Sequence, residues 1–154
     1  MADSSVRIAR PRGEVFAFYE DFGNLPRFLG DVESVERLAP GTWRWVVQGP
    51  MGARLRRDVR VTRRDEGAYL AYESVPVLGL KARWEVRFTS RGDGETEVDE
   101  VLSAPLGRLG RTALAAVGKH PAEEVAANLR RLKEVLETGT VTCTAHSAPG
   151  KRFG

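Results

Sequence analysis

The sequence predicts an α+β domain in which a curved, seven-stranded antiparallel sheet wraps around one long C-terminal helix, with two short helices after the first strand. Three observations predict it. From Asp31 to about Ala104 apolar and polar side chains alternate with a period of two, in runs rich in Val, Thr, Trp and Tyr. From Pro121 onward the apolar period becomes 3.6. Turn residues divide the first region at Pro40-Gly41, Gly49–Gly52, Asp65–Gly67, Val75–Gly79 and Gly92–Gly94, gaps short enough to force an antiparallel meander.

Residues Ser5–Ala9 set Val6 and Ile8 between polar neighbours, as a short half-buried strand does. Pro11 suits the first turn of a helix, and Val15, Phe16, Phe18 and Tyr19 share one helical face, which predicts a helix ending near Asp21. Gly23, Asn24 and Pro26 break that pattern, and Arg27–Leu29 then read as a second, very short helix closed by Gly30. Six strands follow, at about 32–38, 42–48, 53–63, 68–74, 81–90 and 95–103. In the final helix Val125, Leu129, Leu132 and Leu136 form one stripe; Glu123 and Glu124 favour its N-terminal dipole and Gly139 its C-terminal cap. These elements make residues 1–139 a single domain. The segment 140–154, which collects Ser, Thr, Pro and Gly without an apolar period, is expected to be a mobile tail.

Composition narrows the function classes. A chain of 154 residues can bury on the order of 70% of its unfolded surface, enough for one core. Its apolar fraction of 42%, charged fraction of 29% and mean hydropathy of −0.33 are those of a globular protein. No apolar run approaches the roughly 20 residues of a membrane helix, and a cytoplasmic location is the expectation. One cysteine and two histidines exclude an internal disulfide and a zinc site of clustered soft ligands, so no metal and no cofactor is expected. The net charge of +3 arises from 24 basic and 21 acidic residues interspersed, which favours solubility over a polyanion partner.

A seven-stranded antiparallel sheet is too twisted to stay flat, and one helix cannot fill the concavity of a sheet bent around it. An apolar cavity of roughly 300–1,000 Å³, open at one end, is therefore expected. Alternation assigns its walls: Trp43, Trp45 and Val47; Leu55, Arg57, Val59 and Val61; Leu70, Tyr72 and Ser74; Ala82, Trp84, Val86 and Phe88; Val98, Glu100 and Leu102. Three tryptophans then line one hollow, which suits a flat or elongated hydrophobic ligand as well as it suits plain core packing. Trp43, Trp45, Tyr72, Ser74, Trp84, Phe88 and Leu102 are the candidate ligand-binding residues. Arg57 and Glu100 stand out as charges on inward positions. They pair, sit near a wet mouth, are turned out by a bulge, or form a functional polar pair inside the pocket.

Between about residues 5 and 139 the chain resembles the START-like helix-grip superfamily (SRPBCC), in particular its bacterial polyketide cyclase/dehydrase and coenzyme Q-binding branch. The resemblance rests on Asn24-Leu25-Pro26-Arg27-Phe28, on Trp45, Val47, Gly49, Pro50 and Gly52, and on Tyr72 with Ser74. It continues through Val86 with Phe88, Thr96-Glu97-Val98, and Leu129-Arg130-Arg131-Leu132-Lys133 before Leu136-Glu137. It implies the helix-grip fold and leaves the activity open, because the superfamily includes lipid carriers, quinone binders, aromatases, cyclases and chaperone co-factors. In that family the position of Glu100 is commonly apolar, a point at which this chain departs.

The resemblance implies binding, or transport, of a lipid, quinone or polyketide; the alternative is a polyketide aromatase/cyclase or dehydratase. In an aldol-type ring closure Glu100 would be the base, Arg57 the donor to the enolate oxygen, Tyr72 a proton relay and Ser74 an orienting group. No nucleophilic triad surrounds His120, His146 or Cys143, and neither Gly107, Gly110 nor Gly118-Lys119 makes a phosphate loop. Arg54, Arg56, Arg60, Arg63 and Arg64 form a basic stripe on the outer sheet face, read as a solvated surface, with acidic lipid headgroups, RNA or a protein partner as the functional alternative. Leu106–Val117 reads either as packing at the cavity mouth or as a gate in transient contact with a membrane. A monomer or homodimer is expected.

Overall fold

The computed structural model of the chain describes residues 2–48, 52–75, 81–103 and 120–153. The strands are β1 (Ala2–Ile8), β2 (Val32–Ala39), β3 (Thr42–Gln48), β4 (Arg54–Asp65), β5 (Tyr69–Ser74), β6 (Arg83–Ser90) and β7 (Thr96–Ser103). They form one antiparallel sheet in the order β1-β7-β6-β5-β4-β3-β2. The short turns make β2 to β7 a meander, and β1 returns to pair with β7, with Val6 opposite Val98 and Ile8 opposite Thr96. Gly41 and Gly67 hold φ of 75° and 70° at two hairpin tips, a left-handed backbone that glycine adopts without a Cβ clash.

Helix α1 (Arg12–Glu20) follows Pro11 and buries Val15, Phe16 and Tyr19. A 3₁₀ helix spans Phe22–Arg27, earlier than the Arg27–Leu29 turn that the sequence predicts. Asp21 explains the shift: its side chain accepts from Gly23 N at 3.2 Å and starts the new turn directly after α1. Helix α2 (Pro121–Thr138) buries Val125, Leu129, Leu132 and Val135, ends at Gly139 with φ of 77°, and packs against β1 and β7. The core joins these faces through Ile8, Phe16, Phe22, Phe28, Val86 and Val98.

Polar contacts join the segment 140–153 to the body of the domain. Arg131, fully buried on α2, donates to Phe28 O at 2.7 Å, Ala145 O at 2.6 Å and Asn128 Oδ1 at 2.6 Å. Glu134 accepts from Thr142 N and Cys143 N, each at 3.0 Å. Ala148 N reaches Gly30 O at 2.9 Å, and Lys151 Nζ donates to Leu29 O and to Val32 O. Composition could not show this, because the partners are main-chain carbonyls distant in sequence. The turns at 49–51 and 76–80, the reading of Leu106–Val117 as a gate, and Gly107, Gly110 and Gly118-Lys119 lie outside the described residues.

Candidate functional site

Register builds the site. One cross-strand row runs Val61–Tyr72–Trp84–Leu102 over β4 to β7, and another runs Val35–Trp45–Arg57 over β2 to β4. Residues in such a row share a face of the sheet, so the two rows place an aromatic wall opposite α2. Tyr72 and Trp84 stack at 5.0 Å with their planes 12° apart, and Trp45 meets both, at 5.8 and 5.6 Å.

Between this wall and α2 lies a cavity of about 380 Å³. Leu29, Val32, Val59 and Val125 are among its apolar lining, with Trp45, Tyr72, Trp84 and Leu102. Arg57, Ser74 and Glu100 are polar groups on its surface, and Asp31, Lys81, Glu124 and Asn128 also line it. Trp45 Nε1 is buried without a hydrogen-bond partner.

Glu100 is 3% exposed, and it does not pair with Arg57. Its Oε1 accepts a hydrogen bond from Tyr19 Oη, and Tyr19 Oη lies 2.7 Å from Tyr72 Oη. The three groups form a chain from α1, β5 and β7, both ends of which, Tyr72 and Glu100, face the cavity. Burial pushes the Glu100 carboxyl up to about 7, although the Tyr19 hydrogen bond favours its ionised form. Burial, together with the Glu100 charge, holds Tyr19 and Tyr72 well above the ordinary phenol range.

Seven of the nine sequence-predicted site residues meet at this cavity: Trp45, Arg57, Tyr72, Ser74, Trp84, Glu100 and Leu102. Trp43 and Phe88 do not line it. Trp43 packs on Phe22 at 5.5 Å and Phe88 on Phe16 and Tyr19 at 5.2 and 5.8 Å, so both belong to the core beneath α1 and the 3₁₀ helix. Leu55, also predicted inward, is 38% exposed at the first turn of β4, where the strand runs out from under the helix. Ser74 Oγ accepts from Ala82 N at 2.9 Å, which ties β5 to the approach of β6. Tyr19 is the functional candidate that sequence reasoning missed. Its place on the buried face of α1 was legible, and the unmet need of Glu100 for a donor was the signal.

A profile of proteins described as polyketide cyclase/dehydrase and lipid transport matches residues 2–137. The chain belongs to that family. No curated protein matches this family member. Its fold is shared with a protein from Deinococcus radiodurans, 25% identical, at a TM-score of 0.69 over 90% of this chain and 98% of the other. It is shared also with the di-domain ARO/CYC StfQ of the steffimycin biosynthetic pathway, 20% identical, TM-score 0.67, over 90% of this chain and 45% of that one. A START superfamily protein from Mycobacterium smegmatis, 16% identical, aligns at a TM-score of 0.60 over 85% of this chain and 97% of its own. The likeness to such neighbours shows the helix-grip fold.

The basic stripe is largely matched by acids: Arg54 with Glu33 at 3.2 Å, Arg60 with Glu73 at 3.2 Å, Arg63 with Asp65 at 2.9 Å and Arg64 with Glu20 at 2.5 Å. Among the described residues no cluster of His, Cys, Asp or Glu is placed to hold a metal, and no helix is long and apolar enough to cross a membrane. His146 lies 3.3 Å from Glu123, in a tail contact.

Proposed function

We propose that this chain binds, and on release carries, a hydrophobic small molecule such as a lipid, a quinone or a polyketide in the cavity between its sheet and α2. The observation that carries this reading is the cavity of about 380 Å³, whose wall of Trp45, Tyr72, Trp84 and aliphatic side chains is interrupted by polar groups such as Arg57, Ser74 and Glu100. Aromatic faces supply large apolar area at little conformational cost, while Arg57, Ser74 and Glu100 fix the ligand's orientation. Native mass spectrometry of the purified protein tests it. A retained small-molecule adduct, released on denaturation and lost when Trp84 is replaced by Arg, is the expected result. A ligand-free mass, together with tryptophan fluorescence that no lipid, quinone or polyketide alters, overturns it.

The buried Glu100–Tyr19–Tyr72 chain favours a second reading, aldol-type ring closure of a poly-β-ketone. Glu100 then takes the acidic C–H proton, Arg57 and Tyr72 stabilise the enolate oxygen, and Ser74 orients the substrate. Loss of turnover with binding retained in Glu100→Gln supports it. Unchanged turnover dismisses it.

A further inference from the structure

Counting protons along the buried hydrogen-bond chain gives a consequence for what the cavity recognises. Tyr19, Tyr72 and Glu100 are joined by two internal hydrogen bonds, Tyr72 to Tyr19 and Tyr19 to Glu100. With Glu100 ionised the chain holds two protons, one phenolic proton for each tyrosine. Both are consumed: Tyr19 donates to the carboxylate and Tyr72 donates to Tyr19. What the chain itself then offers the cavity is only acceptors, the Tyr72 oxygen lone pair and the carboxylate.

With Glu100 protonated there are three protons and still two internal bonds. Whichever way the chain is then oriented, one donor is left over for the cavity. Either the carboxyl presents its O–H directly, or it donates to Tyr19, Tyr19 donates to Tyr72, and the Tyr72 O–H swings to the cavity side. One proton bound at Glu100 therefore changes the part of the pocket wall that this chain forms from acceptor-only to donor-bearing. Ser74 and Trp45 do not reverse in this way: Ser74 is tied to Ala82, and Trp45 Nε1 is a donor in every state.

We propose that the Glu100–Tyr19–Tyr72 chain is a proton-controlled specificity site for the oxygen function of an apolar ligand, taking a ketone or quinone carbonyl when Glu100 is protonated and a hydroxyl when it is ionised. The inference rests on the binding function proposed above and adds the class of ligand group read at the inner wall. A carbonyl can only accept, so the ionised chain leaves it facing acceptors, whereas a hydroxyl can serve as donor or acceptor and finds a partner in both states.

Burial places the Glu100 carboxyl near about 7, so the change falls within the range in which the protein can be handled. Tyr19 from α1 and Tyr72 from β5 stay neutral there, since both are held well above the ordinary phenol value. The charged groups that share the cavity are Arg57 from β4, Asp31 before β2, Lys81 before β6 and Glu124 from α2. On its own sheet Glu100 is flanked by Ser4 of β1 and Val86 of β6, neither of which titrates.

The test uses three flat probes of nearly one shape: fluorene, 9-fluorenone and 9-fluorenol, titrated against the intact chain by tryptophan fluorescence or calorimetry from about pH 5.5 to about pH 8.5. The expected result is a ketone-to-alcohol affinity ratio that falls roughly tenfold or more as pH rises through about 7, the scale of one hydrogen bond made or left unmet. In Glu100→Gln the ratio is flat. In Tyr19→Phe, which removes the hydrogen bond that favours the ionised carboxyl, the midpoint moves to higher pH, and this variant keeps the test alive where the glutamine variant does not fold. A ratio independent of pH in the native chain, or a profile that Glu100→Gln leaves unchanged, overturns the inference while fluorene binding upholds the cavity reading. Failure of all three probes to bind overturns both.

Discussion

Replacing Glu100 with Gln flattens the dependence of folding stability on pH between about 4.5 and 7. The native carboxyl is 3% exposed, and burial raises it from an ordinary value of 4.5 to about 7. A carboxyl raised on folding binds its proton more tightly in the folded state than in the unfolded chain. Its contribution to stability is therefore fully present below about pH 4.5 and is lost as pH rises through about 7. At about 1.4 kcal/mol for each pH unit, the full loss is about 3 kcal/mol, and roughly 2 to 3 kcal/mol of it develops between pH 5 and pH 8. Urea unfolding of the native chain and of Glu100→Gln at those two pH values measures it. The native protein should lose that amount on going to pH 8, and the variant should lose little. Asp99, also raised by burial, leaves a small common slope in both proteins. Lys151, lowered by burial to about 8, adds stability only above that value, so the comparison stops there. Equal losses in the two proteins would refute the buried, protonated carboxyl.

Arg131→Met should destabilise the fold by roughly 2–5 kcal/mol in thermal or urea melts, because it strands Phe28 O and Ala145 O without their shared donor and leaves Asn128 Oδ1 with Gly30 N alone. Gly30→Ala would put a Cβ 2.4 Å from His146 O and 2.7 Å from an Arg131 nitrogen, so it should release the 140–153 segment; proteolysis within that segment should accelerate, with a cost of roughly 1–3 kcal/mol. Trp84→Ala removes the ring stacked on Tyr72 and should cost roughly 2–4 kcal/mol while enlarging the cavity, which a gain in affinity for bulkier polycyclic probes would register.

Strand alternation and turn residues made the meander legible, and the 3.6-residue stripe made α2 legible, because each depends on neighbours close in sequence. The same alternation identified Trp45, Tyr72, Trp84 and Leu102 as inward. It could not separate cavity from core. Trp43 and Trp45 are on one face of β3, and Phe22 of the 3₁₀ helix meets both, at 5.5 and 5.8 Å, yet only Trp45 also borders the open space. That distinction depends on where a connecting segment crosses the sheet. The pairing of Glu100 was likewise hidden: a nearby charge on an inward position, Arg57, looked like the natural partner, whereas the fold supplies a phenol from α1, 81 residues away in sequence. The contacts of the tail were hidden for a related reason. Its Ser, Thr, Pro and Gly residues say nothing about a fully buried Arg131 that needs main-chain acceptors, and the tail provides them.

Unmet polarity is concentrated where a guest would sit. Arg131, Thr96 and Ser74 are buried and each finds a protein partner. Of the two buried side-chain atoms without one among the described residues, Gln48 Oε1 lies beside the small surface hollow under the tail, and Trp45 Nε1 belongs to the wall of the main cavity. Glu100 is held in the same wall by a single phenol, in an environment that raises it to about 7. An unpaired buried N–H costs roughly 1–3 kcal/mol, and the raised carboxyl costs a comparable amount at neutral pH. A hollow formed only by imperfect packing would be walled by aliphatic and aromatic carbon, as apolar voids are. A wall with an orphan indole donor at one place and a proton-sensitive hydroxyl chain at another is completed by a molecule that is mostly hydrocarbon and carries oxygen.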